Sequence, residues 1–170
     1  TAFYSQVRIK QGGYEECADA KIIIVTAGVA RKEGQTRLDL AKVNTGIARD
    51  IAQNIMKYAK NPLIIVVSNP VDVNTYLIQK ETGLPAERVI GTGTSLDTAR
   101  FRYLLSRRCK VDIRDIQGYI LGEHGDSQVP IWSSVNVAGE TIDHFLPADE
   151  KEKEEVKTEI ATKARTAGAD

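Results

Sequence analysis

Histidine is scarce in this chain of 170 residues, which has only two. One of them, His124, stands in Leu121-Gly-Glu-His-Gly-Asp-Ser127, just past a short apolar run. An imidazole exchanges protons near neutral pH, and flanking glycines let a ligand approach the backbone, so the setting favours an acid–base role over a structural one. The second, His144, lies among loop-like residues and reads as ordinary surface. Asp97 and Arg100 are three apart in Leu96-Asp-Thr-Ala-Arg-Phe-Arg102, so on a helix they share a face. That spacing suits either a plain intrahelical ion pair or a carboxylate that orients a base beside a guanidinium that binds an anion. Arg37, in Gly34-Gln-Thr-Arg-Leu-Asp39, is either a second anion-binding cation or a solvated arginine at a helix start.

The elements that must position these groups show in the hydrophobic pattern. Lys21-Ile-Ile-Ile-Val-Thr26 and Leu63-Ile-Ile-Val-Val-Ser68 are β-branched and apolar on both faces, as in parallel strands buried from both sides. Between them Thr36-x-x-Asp39 can cap a helix, with Leu40, Val43, Ile47, Ile51 and Ile55 along one face. Pro70 opens a further helix, where its missing N–H costs nothing. Strand, helix, strand, helix implies a right-handed parallel α/β sheet whose ligands sit at the carboxyl ends of the strands, here the loops after Thr26 and Ser68.

After Val89-Ile-Gly-Thr-Gly93 the pattern changes, with a helix from Thr98 to Arg107 and short strands at Tyr119-Ile-Leu121 and Val129-Pro-Ile-Trp-Ser133. We place a boundary there, giving domains 1–90 and 91–170. Past Pro147 an acidic opening precedes Val156, Ile160 and Ala164 at helical spacing, a helix with a solvated charged face.

Composition removes several classes. Lys plus Arg (23) balances Asp plus Glu (23), so no net field would hold nucleic acid or an anionic membrane. No apolar run approaches the ~18 residues of a membrane span, and the first residues lack the pattern of a signal peptide, so a cytoplasmic protein is expected. Cys17 and Cys109 form no C-x-x-C pair and read as free thiols. No metal-ligand cluster stands out. The missing initiator Met and the helical stripe running to the last residue suggest an internal fragment.

Taken together, Thr26-Ala-Gly28, Gly34-x-Thr-Arg37-Leu-Asp-Leu40, Ser68-Asn-Pro-Val-Asp72, Gly91-Thr-Gly-Thr-x-Leu-Asp97-x-Ala-Arg100-Phe-Arg102 and Gly122-Glu-His124-Gly-Asp-Ser127 resemble the L-lactate/L-malate dehydrogenase family in order and spacing. The resemblance covers essentially the whole chain. It implies part of a doubly wound parallel NAD-binding (Rossmann) sheet, followed by part of an α+β substrate domain. It also implies hydride transfer between NADH and a small 2-oxo acid. His124 would be the proton donor and acceptor, Asp97 its orienting carboxylate, and Arg37 the group that polarises the carbonyl. Arg100 would clamp the substrate carboxylate, with Asn69 and Arg31 as further substrate contacts. Thr26, Ala27, Gly28, Val67, Ser68 and Asn69 would pass the cofactor.

The family's G-x-G-x-x-G turn is absent, and Gln11-Gly12-Gly13 does not replace it. The amino-terminal part of the cofactor domain is therefore expected to lie outside these residues, and this piece alone would bind NAD poorly. Arg31 stands where malate enzymes carry arginine, whereas Gly122 to Ser133 and Asn136-Val-Ala-Gly139 look like the lactate branch. The reading leans to pyruvate and L-lactate, with oxaloacetate and malate as the alternative and a non-catalytic scaffold less favoured. Gln117 replaces a histidine that allosteric members use with the arginine matched by Arg102, which counts against activation by fructose 1,6-bisphosphate. The family also implies a homo-oligomer, tetramer or dimer.

Overall fold

A computed structural model describes residues 7–30, 34 and 37–167 and, for Arg37, the backbone only. The chain divides into two compact units, Thr1–Gly91 and Thr92–Asp170.

In the first unit β1 (Ile22–Val25), β2 (Leu63–Val66) and β3 (Val89–Gly91) form a parallel sheet in that order, with Ile23 opposite Ile64 and Ile65 opposite Ile90. Helices α1 (Arg37–Met56) and α2 (Val71–Thr82) make the two crossovers. Strands laid side by side in chain order, joined by crossovers of one hand, receive both helices on the same face. The core therefore lies on that face, where Val25, Ile64, Val66 and Val89 meet Ala48, Ala52, Ile55 and Ile78.

This corrects the expectation that the first strand is buried on both faces: Ile22 and Ile24 are 57% and 60% exposed, and Ile90 is exposed as well. Among the described residues no helix covers that second face.

The inner line of α1 also differs from the expected stripe. Asn44, Ala48, Ala52 and Ile55 are buried, whereas Val43 is exposed. Small side chains let α1 approach the sheet and α2 closely, so the line nearest the core is set by size as much as by apolarity. Thr36, the expected cap, lies outside the described residues. Pro70 is the N-cap of α2 rather than its first helical residue, and the Asn69–Pro70 peptide is cis. The helix ends at Gly83, whose φ of 66° is the left-handed value that glycine adopts at a helix end.

The second unit packs α3 (Ser95–Cys109) and α4 (Glu150–Thr166) with two small antiparallel sheets. One sheet is β4 (Ile116–Gln117), β7 (Asn136–Val137) and β8 (Glu140–Thr141); the other is β5 (Ile120–Leu121) with β6 (Val129–Pro130). Phe101, Leu105, Ile116, Ile120, Val137 and Ile160 lie in its core, and Phe101 meets Trp132 edge to face at 5.1 Å.

Helix α3 starts three residues before the expected Thr98. The strand expected to run to Ser133 stops at Pro130, and Trp132–Ser134 forms a turn of 3-10 helix instead. Asp149 caps α4 by accepting from the Glu152 N–H at 3.0 Å, and Ile160 and Ala164 form its buried line. His144 is exposed, 3.0 Å from Glu140.

Candidate active site

Two groups of side chains stand out, one in each unit. In the second unit, Asp97 lies in the first turn of α3, where the positive end of the helix dipole favours an anion. Its side chain is only 2% exposed. One carboxylate oxygen lies 2.6 Å from His124 Nδ1 and the other 3.7 Å from an Arg100 guanidinium nitrogen. An ionised carboxylate only accepts, so Nδ1 carries the hydrogen and donates to Asp97. With Nδ1 committed, proton exchange with a ligand falls to Nε2.

Main-chain ties hold the two partners together. His124 follows β5 through Gly122, whose φ of 97° an L side chain would resist. β5 in turn is fastened to α3: the Thr98 hydroxyl accepts from Ile120 N–H at 3.0 Å, and the Thr94 hydroxyl donates to Ile120 C=O at 2.5 Å. The residue beside Asp97 thus anchors the strand that leads to His124. Sequence reasoning missed Thr94 and Thr98, because a hydroxyl that bonds to main chain leaves no partner type to recognise.

In the first unit the carboxyl ends of β1 and β2 border a cleft of about 300 Å³ lined by Thr26, Gly28, Val29, Ala30, Leu40, Asn44, Ser68 and Asn69. Thr26, Gly28, Ser68 and Asn69 are thereby brought together, while Ala27 and Val67 are not in the lining. Val67 instead extends the ladder, its N–H donating to Val25 C=O at 2.9 Å. Arg31 lies outside the described residues, as does the side chain of Arg37, which opens α1. Asn44 is a further residue that sequence reasoning missed. Its signal was present, as an amide among the apolar positions of α1.

The cleft suits part of a nicotinamide dinucleotide. Thr26, Gly28, Ala30 and Ser68 add little bulk to its walls, and the Ser68 hydroxyl is buried with no hydrogen-bond partner among the described residues. A Cβ added at Gly28 would touch the Asn44 side chain at ordinary contact distance, 3.4 Å from Oδ1, so Gly28 and Asn44 lie against each other at the cleft. No group of three or more His, Cys, Asp or Glu side chains among the described residues could hold a metal ion. No described helix is long and apolar enough to cross a membrane.

A parallel β-α-β sheet with a ligand-sized cleft at its strand ends, followed by an α+β unit, defines a Rossmann-like α/β protein. The chain belongs to the lactate/malate dehydrogenase family. Residues 1–91 match the family's NAD binding domain and residues 94–170 its alpha/beta C-terminal domain. An L-lactate dehydrogenase of Acetivibrio thermocellus is 50% identical over 143 residues, which are 84% of this chain and 45% of that protein. The crystal structure of the minor L-lactate dehydrogenase of Enterococcus mundtii is 49% identical, with a TM-score of 0.85 over 92% of this chain and 50% of that one. The malate dehydrogenase of Picrophilus torridus is 39% identical, with a TM-score of 0.83 over 92% of this chain and 46% of that one. The chain spans about half the length of these relatives.

Proposed function

We propose that the whole protein is an NAD-dependent L-lactate dehydrogenase, reversibly reducing pyruvate to L-lactate. Residues 1–90 would form the carboxyl-terminal part of its NAD-binding domain and residues 91–170 the amino-terminal part of its substrate domain. The observation that carries the reading is the shared carboxylate of Asp97, 2.6 Å from the His124 ring and 3.7 Å from Arg100. A proton donor and a carboxylate-binding fork sharing one support are what a 2-oxo acid requires, and these distances support that reading.

When bound, NADH supplies the hydride to the carbonyl carbon. His124 gives its Nε2 proton to the carbonyl oxygen, and takes it back in the oxidation of lactate. Asp97 fixes the ring, so that the donor atom does not wander. Arg100 offers two parallel N–H groups to the substrate carboxylate, a match of geometry that a lysine lacks. By family resemblance Arg37 polarises the carbonyl, Asn69 and Arg31 contact the substrate, and Thr26, Ala27, Gly28, Val67, Ser68 and Asn69 flank the cofactor. The same resemblance supports a cytoplasmic homo-oligomer, tetramer or dimer, working in glycolytic fermentation.

The second reading is a malate dehydrogenase, favoured by Arg31 alone, since a second cation could pair with the second carboxylate of oxaloacetate. Steady-state rates of the full-length protein separate the two. A kcat/KM higher for pyruvate is expected; a higher value for oxaloacetate ends the lactate reading.

A further inference from the structure

Asn44 is 4% exposed, on a helix face otherwise built from alanine and isoleucine. A buried amide in such a setting costs stability unless its hydrogen bonds are made. Here three are made, and all go to main chain. Oδ1 accepts from Val29 N–H at 2.8 Å, while Nδ2 donates to Val29 C=O at 3.2 Å and to Asn69 C=O at 2.8 Å. Val29 follows the end of β1 and Asn69 follows the end of β2. One side chain therefore bridges both walls of the cleft and holds the backbone of the residue whose own amide is assigned to the substrate carbonyl.

We propose that Asn44 is a positioning residue for the reaction. It sets the spacing of the two strand ends and fixes the main chain of Asn69, so that the Asn69 amide is presented at a constant place. This rests on the dehydrogenase reading above. An apolar residue of the same size would pack the core equally well but could hold neither strand end. The position requires an acceptor and two donors in one planar group, which an asparagine provides.

The test uses the full-length protein with NADH and pyruvate, comparing wild type with Asn44→Ala and with Asn44→Asp. The second variant keeps the volume and the bond from Val29 N–H but loses both donors. NADH binding is titrated by fluorescence, which gives the dissociation constant and the number of competent sites. kcat is then expressed per binding site, so an unfolded fraction does not count.

In both variants kcat per site should fall about tenfold or more, because a shift of about 1 Å in a positioned group can cost up to about 10²-fold. Asn44 also lines the cleft, so the dissociation constant for NADH should rise somewhat, but by a smaller factor than kcat per site falls, since the contacts made near the adenosine lie elsewhere in such folds. An unchanged kcat per site, with only thermal stability lowered, overturns the proposal and leaves Asn44 a core residue. A rise in the NADH dissociation constant without loss of kcat also overturns it. A wild-type protein that binds NADH but does not reduce pyruvate would instead sink the dehydrogenase reading, before any variant is compared.

Discussion

Replacing Asp97 by Asn keeps the shape of the side chain and removes half of its accepting capacity. The carboxylate accepts from His124 Nδ1–H at 2.6 Å and forms an ion pair with the Arg100 guanidinium at 3.7 Å. An amide has one accepting oxygen and one NH2 group. If its oxygen faces the imidazole, the NH2 group points at Arg100; if it is flipped, two N–H groups confront each other at His124. At 2% exposure no water can readily compensate.

A hydrogen bond to a charged group contributes about 1.5–3 kcal/mol, against about 0.5–1.5 kcal/mol for a neutral pair, and the loss of an acceptor leaves a donor unpaired. The combined effect on the ordered site is on the order of 1.5–3 kcal/mol. At 1.36 kcal/mol per factor of ten, kcat/KM for pyruvate in Asp97→Asn should fall about 10- to 100-fold. The assay is steady-state pyruvate reduction by the full-length protein, with NADH affinity measured on the same preparation. A kcat/KM within about twofold of wild type, at unchanged NADH affinity, would refute the idea that Asp97 orders His124 for catalysis.

Three further outcomes are expected. Arg100→Lys should raise KM for pyruvate about 10- to 100-fold, because one ammonium cannot reproduce the two-pronged contact with a carboxylate, and binding of NADH should be unaffected. Thr98→Val leaves the buried Ile120 N–H without its acceptor, so denaturant unfolding should show a loss of about 1–3 kcal/mol, with Thr98→Ser close to wild type. The hydrogen bonds from the Arg114 side chain and backbone hold the Asp112 carboxyl down at about 2. A lowered folded pKa contributes stability that is present above the ordinary carboxylate range and lost as pH falls toward 2; NMR titration should find that midpoint, and Arg114→Ala, which removes the side-chain bonds but keeps the backbone N–H, should raise it part of the way toward the usual range.

Different parts of the molecule were legible in the sequence to different degrees, for physical reasons. The β-branched runs around Ile22–Val25 and Leu63–Val66 announce parallel strands, since such runs pack on a pleated surface. Which face they bury is not written in the run. It follows from both crossovers having the same hand and direction, which puts α1 and α2 together and leaves Ile22 and Ile24 open. Counting bulky apolar residues likewise favoured Val43, whereas the helix turns its alanines inward to gain close approach. β4, β7 and β8, at two residues each, are too short for any alternation to show.

Site residues divide along the same line. Asp97 and His124 are 27 positions apart, and each is conspicuous by type in its own segment, so the sequence could nominate both while saying nothing of the 2.6 Å between them. Thr98 is inconspicuous because its partner is a peptide group, which every residue carries; Asn44 shows as an amide among apolar positions, but its peptide partners cannot be named from the sequence. Yet these are the side chains that tie the segments bearing Asp97, His124 and Asn69 into place. A chemically active residue is recognisable by what it can do, and a positioning residue by the main-chain group that it alone satisfies. Only coordinates reveal the second kind, and for that reason buried hydroxyls and amides with backbone partners are the places to look for function that sequence motifs omit.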